Sequence, residues 1–208
     1  MPPLGPQNFE ARKGRVSASE IAALTPDGHP YMDSRDVYDR LIGLRPMDAP
    51  SPAMRLGTIL EPAILAAASD RWGWRTRANA RTLVHSTLPL CATPDAYELG
   101  SRRLIEVKHS GNWSAWINLP AYVWWQAQAQ MMCAPGYESV WVVVLAGQLR
   151  RWQIDRHPTA SRRIARAVRQ MLTRVETLDP PAHATRNLDE IDPWRHDVPR
   201  SIIEGATK

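Results

Sequence analysis

The sequence is short of the residues that mark several common protein classes. It holds two cysteines, Cys91 and Cys133, too few for a disulfide framework or for a four-cysteine zinc or iron–sulfur site in one chain. A reducing, cytoplasmic setting is therefore expected. The longest apolar runs, near Trp141–Ala146 and Ile64–Ala68, fall far short of the ~20 residues that a bilayer span demands. The opening residues lack a cationic start followed by an apolar stretch, so no secretory leader is expected. The six histidines contain no H-x-H or H-E-x-x-H spacing, which argues against a zinc hydrolase. Neither a Walker loop nor a dinucleotide-binding glycine pattern is present. Lysine is scarce as well: Lys13, Lys108 and Lys208 stand against 23 arginines.

What is there reads as globular. Hydrophobic residues make up 44% and charged residues 23%, ordinary values for a folded protein, and 208 residues suit one domain with appendages. The net charge of +5 permits an anionic partner such as nucleic acid without requiring one.

Along the chain, residues 1–8 are expected to be a flexible, proline-rich start, 9–178 the domain, and 179–208 an extended polar tail. Ser17 and Glu20 form a capping-box pattern that opens a short helix stopped at Thr25-Pro26-Asp27-Gly28. A second helix is expected from Ser34 to Ile42. After a linker over Pro46–Pro52 comes a long helix, capped by Ser51 and ended by Gly73. Short alternating segments follow at Thr82–His85, Leu88–Thr93, Ala96–Leu99 and Leu104–Lys108 and read as strands. Trp113–Met132 is helical in pattern, divided by Pro120. Val140–Leu145 suits a strand buried on both faces and pairs with Leu149–Ile154; a last helix spans Thr159–Leu178. The order implies an α/β or α+β fold.

The chemistry concentrates in Thr93-Pro94-Asp95 and Glu106-Val107-Lys108. Residues two apart on a strand share a face, so Glu106 and Lys108 project together while Ile105 and Val107 face an opposite core. A hairpin around Gly100-Ser101 brings Asp95 alongside. Two carboxylates offer hard oxygen ligands that suit Mg²⁺ or Mn²⁺. A lysine beside them has a compact, titratable head that can orient water or help deprotonate it. Taken alone, E-x-K is more often a solvated charge pair. Two features weigh against that: apolar flanks at Leu104, Ile105 and Val107, and a lysine where this composition supplies one about one time in nine. Arg12 and Arg15, just ahead of Ser17 and Ser19, make a phosphate pocket if Ser17 caps a helix.

Asp95, Glu106 and Lys108 resemble the Pro-Asp…(Asp/Glu)-x-Lys core of the restriction-endonuclease-like nucleases. Arg12-Lys13-Gly14-Arg15-Val16-Ser17-Ala18-Ser19-Glu20-Ile21, Gly57-Thr58-Ile59-Leu60-Glu61 and Gln128-Ala129-Gln130 occur in the order seen in lambda exonuclease and the YqaJ-like phage recombination nucleases. The resemblance covers about residues 9–155. It implies a central mixed β-sheet flanked by helices. It implies a Mg²⁺-dependent nuclease, with Mn²⁺ able to substitute, that holds one or two ions and digests linear duplex DNA from a 5′ end in a bacterial or phage-infected cell. Asp95, Glu106 and the Val107 carbonyl would hold the ions, and Lys108 would act on the water. Glu61 would reach the site from the long helix, beside a Gly57 that permits close backbone approach, and Gln130 would close the site beside Lys108. Arg12, Arg15, Ser19 and Thr93 would contact the 5′-phosphate and its neighbours. The resemblance further implies a ring-shaped homotrimer and a single-strand annealing partner.

Gln126, one turn before Gln130, fits ordinary amide decoration equally well, and Gln128 points away. Arg162, Arg163, Arg166 and Arg169 either line a DNA channel or form a solvated face. Trp124, Trp125 and Trp141 read as core or subunit interface. The alternatives are a catalytically silent DNA-binding or recombination scaffold, an endonuclease, or a Cas4-like nuclease without an iron–sulfur cluster.

Overall fold

The computed structural model describes residues 6–44, 51–112 and 114–184. Most of the expected tail, the core of the Pro46–Pro52 linker and Trp113 lie outside them. The N-terminal helix α1 (Pro6–Arg12) leads through Gly14, at φ 65°, into strand β1 (Val16–Ser17) and a 3-10 helix (Ala18–Leu24). As the capping-box pattern suggests, the Glu20 carboxylate accepts the Ser17 N–H at 2.7 Å. The segment is nevertheless a 3-10 helix, with poorer dipole alignment than an α-helix offers. Helix α2 (Ser34–Leu41) packs next to it, and Arg40 of α2 ion-pairs with the Glu20 carboxylate. Helix α3 (Pro52–Trp72) runs between its Ser51 cap and Gly73, which adopts φ 67° as its left-handed stop.

Strands β2 (Thr76–Ala78), β3 (Leu83–Val84), β4 (Leu90–Ala92), β5 (Ala96–Glu98) and β6 (Arg103–His109) follow. Then come a short 3-10 turn (Ser114–Trp116), α4 (Ala121–Cys133) behind Pro120, β7 (Ser139–Ala146), β8 (Gln148–Asp155) and α5 (Pro158–Thr177).

The expected central mixed sheet is there, as five strands in the order β2-β5-β6-β7-β8, parallel only between β6 and β7. A separate three-stranded sheet, β1-β4-β3, stands beside it: the segments around Leu83 and Leu90 belong to this sheet, not to the central one. Two-residue strands such as β1 carry too little period-two signal to be read from sequence.

Period two on β6 and β7 builds two cores. Leu104, Val140, Val142 and Val144 face a large cluster with α4, α5 and the first 3-10 helix. Ile105, Val107 and Val143 face a smaller one covered by Ile64 and Ala68 of α3. Strands β6 and β7 are therefore covered on both faces, which is why Val140–Leu145 is continuously apolar.

Between β4 and β5 the chain passes from the small sheet to the large one at Thr93-Pro94-Asp95. Asn79, 4% exposed, clamps this crossing. Its side-chain amide donates to the carbonyls of Pro94 at 2.8 Å and Arg81 at 2.7 Å, and its backbone N–H donates to the Asp95 carbonyl at 2.8 Å. Its Oδ1 accepts from the Tyr97 hydroxyl at 2.9 Å and the Arg81 N–H at 3.1 Å. Truncating it strips several buried groups of partners at once. Asn79→Ala is expected to lower unfolding stability by about 2 kcal/mol, seen as a lower urea midpoint by circular dichroism with an unchanged slope.

Candidate active site

The site forms where β6 outruns β5. Pairing between these strands ends at Ala96 and Ile105. Beyond it the Asp95 N–H donates to the Ile105 carbonyl at 3.0 Å, and the Asp95 side chain takes the Val107 N–H at 2.6 Å. A strand residue points its N–H and C=O to the same side, so the Val107 carbonyl faces the gap beside Asp95.

On the α4 side of β6, Glu106 is 4% exposed and fully engaged. Its Oε1 accepts from the Lys108 ammonium at 2.6 Å and from Gln126 Nε2 at 2.6 Å, and its Oε2 accepts from Gln130 Nε2 at 2.5 Å. Gln126 Oε1 in turn accepts from Lys108 Nζ at 3.1 Å. Gln126 and Gln130 thus both serve the site, one helical turn apart. Gln126 was the ambiguous one in sequence: with three glutamines at 126, 128 and 130, the facing pair depends on how the helix is rotated. Gln128 turns away, donating to the Asp155 carbonyl at 2.8 Å and accepting the His157 N–H at 2.9 Å.

A third carboxylate, Glu61 of α3, lies within electrostatic reach of Glu106 and Asp95. Burial pushes the Asp95 carboxyl well above the usual carboxylate range, and the Glu106 and Glu61 charges push it further. Burial likewise raises Glu61, with Glu106 adding to it. Burial works against the Lys108 ammonium, but the Glu106 and Asp95 carboxylates outweigh it and the net shift is upward. Gly57 lies on α3, but a Cβ there would meet nothing within 4 Å, so close backbone approach does not account for it.

This donor set fits a hard divalent cation. Carboxylate oxygens and a carbonyl are the ligands such an ion prefers, and the crowding of three carboxylates on one ammonium is the imbalance a cation relieves. Among the described residues a further group of metal-capable side chains, Asp33, Asp36 and His183, lies elsewhere, with ligand atoms within 4.8 Å of one another. There one oxygen of each carboxylate serves a helix cap, Asp33 Oδ1 accepting from the Asp36 N–H at 3.0 Å and Asp36 Oδ2 from the Asp33 N–H at 2.9 Å, while Asp33 Oδ2 lies 3.2 Å from His183 Nδ1.

The N-terminal residues assemble in part. Arg12 donates to the Ser17 hydroxyl at 3.2 Å, and Ser17 shares a 3.1 Å hydrogen bond with the Ser19 hydroxyl. Arg15 turns back instead, donating to the Ala11 carbonyl at 3.2 Å. Ser17 pairs with Cys91 on β4, two residues before Thr93, so this polar group stands about 7 Å along the strand from the crossing. The Thr93 hydroxyl meets that of Thr82 at 3.0 Å.

A model of the YqaJ-like viral recombinase domain matches residues 8–138, which include this whole constellation. The chain belongs to that family. The fold agrees: an alkaline exonuclease from Laribacter hongkongensis, LHK-Exo, superposes with a TM-score of 0.69 at 24% identity over 84% of this chain and 94% of that one. LHK-Exo in complex with dAMP gives the same TM-score at 25% identity and the same coverage. A phage-related exonuclease from Haemophilus somnus 129PT matches at 0.64 and 12% identity over 79% of this chain and 94% of that one. No curated protein matches the chain in sequence. The family model ends before β7, β8 and α5, so in this YqaJ-like chain the strand paired with β6 on the edge away from β5 lies outside the matched segment.

The raised carboxyls set a pH dependence. A carboxyl whose folded value lies above its unfolded value binds more protons in the folded state, so stability falls as pH rises through that interval. In a divalent-free buffer, Asp95→Asn is expected to be more stable than wild type at pH 7 and no more stable near pH 4, where both side chains are neutral. Urea titrations at the two pH values check this.

Proposed function

We propose that the protein is a Mg²⁺-dependent nuclease that removes nucleotides from the 5′ end of linear duplex DNA in phage-type recombination. The observation that carries the reading is Glu106, held by Lys108, Gln126 and Gln130, on the strand whose Val107 N–H the Asp95 side chain takes. Support comes from the relatives: LHK-Exo is an alkaline exonuclease, and it binds dAMP, a mononucleotide of the kind that exonucleolytic release yields.

Asp95, Glu106 and the Val107 carbonyl would hold the ion. When bound, it supplies positive charge to the phosphodiester and acidifies water. Gln126 and Gln130 fix the Glu106 carboxylate, so one rotamer presents its oxygens. The Lys108 ammonium orients the attacking water and offsets the charge that grows on the phosphoryl oxygens. Arg12, Ser17 and Ser19 supply donors for a terminal phosphate, with the side chains rather than the 3-10 helix end providing the contact. Arg162, Arg166 and Arg169 sit on the exposed face of α5, which has no acidic residue before Glu176, and would follow a duplex backbone. Leu56 and Ile59, three apart on α3, are 46% and 72% exposed and would suit contact with further copies of the chain in a homotrimer. A single-strand annealing protein would take up the strand left behind.

With Mg²⁺, wild type is expected to digest linear duplex carrying a 5′-phosphate faster than the unphosphorylated duplex and to leave closed circles intact. Lys108→Ala and Lys108→Arg each lose about 100-fold or more in rate, because the longer, forked guanidinium cannot occupy the ammonium's place between Glu106 and Gln126. Gel assays of strand loss check both points; cutting of circles would indicate an endonuclease, and an active Lys108→Arg would refute the role of the ammonium.

A further inference from the structure

A second concentration of side chains lies on the face of the central sheet away from Glu106 and Lys108. Period two puts Arg103 with Ile105 and Val107 on β6, and Trp141 with Val143 on β7; Arg151 of the edge strand β8 pairs with Val143 and shares that face. Helix α3 covers the middle of this face and stops at Gly73, so Trp72 and Trp74 fall on either side of the stop and pack on the same cluster as Trp141. Trp74 stacks on Trp141 at 5.2 Å and 22°, and Trp72 lies 5.0 Å from Trp74. The Arg151 guanidinium lies 4.8, 5.3 and 4.6 Å from the ring centroids of Trp72, Trp74 and Trp141. Arg71 stands over Trp72 and Arg103 over Trp141, each at 5.6 Å.

Three guanidiniums thus gather around one group of half-buried rings, with little to offset them. Glu98 Oε2 accepts from the Ser101 hydroxyl at 2.8 Å, from Arg103 at 3.2 Å and from the Trp141 indole N–H at 3.3 Å, so this carboxylate is already engaged. Arg71 donates to the Leu149 carbonyl at 3.4 Å. Among the described residues no acceptor takes an N–H of Arg151. Burial lowers the Arg151 guanidinium below its ordinary value, Glu98 opposes this, and the Arg103 and Arg71 charges add to it, so the cations repel one another across the patch. The indoles fix the plane of the Arg151 guanidinium and leave its N–H donors at the edge, a planar fork that fits the two oxygens of a carboxylate.

We propose that Arg71, Arg103, Arg151 and the three tryptophans dock an acidic segment of a partner protein, one carboxylate of which the Arg151 fork takes. Charge complementarity sets the sign of that partner, and tryptophan with arginine is the pairing that carries binding at the centre of protein interfaces. A nucleic acid fits less well. The rings are stacked on one another and on guanidiniums, unlike the open rings on which bases stack, and the sheet separates them from the reaction centre. The inference is independent of the nuclease reading.

The test uses the full chain in a divalent-free buffer with a fluorescein-labelled peptide, Asp-Leu-Asp-Glu-Leu-Asp, followed by anisotropy. Wild type is expected to bind it saturably, and the same peptide with asparagine and glutamine in place of the acids about tenfold more weakly or less. Arg151→Lys keeps the charge and loses the fork, and is expected to weaken binding about tenfold. Arg77→Gln removes a charge from over Tyr97, on the opposite face, and is expected to bind as wild type does. Circular dichroism confirms that both variants are folded. A six-residue single-stranded oligonucleotide is expected not to displace the peptide. No saturable binding by wild type, equal binding of the acidic and amide peptides, or equal affinities of Arg151→Lys and wild type overturns the proposal. So does displacement by the oligonucleotide, which would assign the patch to nucleic acid.

Discussion

The organisation of the site depends on one buried carboxylate. Glu106 lies on a strand covered on both faces, where an ionised side chain without partners would be prohibitively costly. Its two oxygens receive three donors, Lys108 from its own strand and Gln126 and Gln130 from α4. Breaking such a set by removing one member leaves a buried charge exposed to that cost, so strand and helix are coupled through the carboxylate. The rotation of α4 follows from it. Once Gln126 and Gln130 face β6, Gln128 must face β8 and α5.

A second constraint is the early end of β5. Because the chain crosses from one sheet to the other at Thr93-Pro94-Asp95, β6 continues past its neighbour and leaves backbone groups at Val107 without a strand beside them. The Asp95 side chain fills part of that gap and Asn79 holds the crossing in place. The Asp95, Glu106 and Glu61 carboxyls act on one another at this end of β6, with Lys108 opposing them. The elevated Asp95 and Glu61 carboxyls and the raised Lys108 ammonium are two sides of that opposition.

Much of this is legible in sequence where the signal is local. Period two places Glu106 and Lys108 together and buries Ile105 and Val107 behind them. Ser51, Pro52 and Gly73 mark both ends of α3, and Glu20 returns to the Ser17 amide as its spacing suggests. What escapes is set by contacts between distant segments. Asn79 looks like any loop polar residue until β4 and β5 are placed. Gln126 cannot be separated from Gln128 until α4 has a rotation. Arg15 points back at α1 because Ala11 and Lys13 offer carbonyls there, which no motif encodes.

The central claim is that Asp95 and Glu106, rather than the acidic cap at Asp33 and Asp36, form the divalent-ion site. Mn²⁺ binding followed by electron paramagnetic resonance tests it directly, without reference to activity. The account predicts saturable binding by wild type and by Asp33→Asn, and loss of that binding in Glu106→Gln. Undiminished binding by Glu106→Gln together with loss in Asp33→Asn would contradict it.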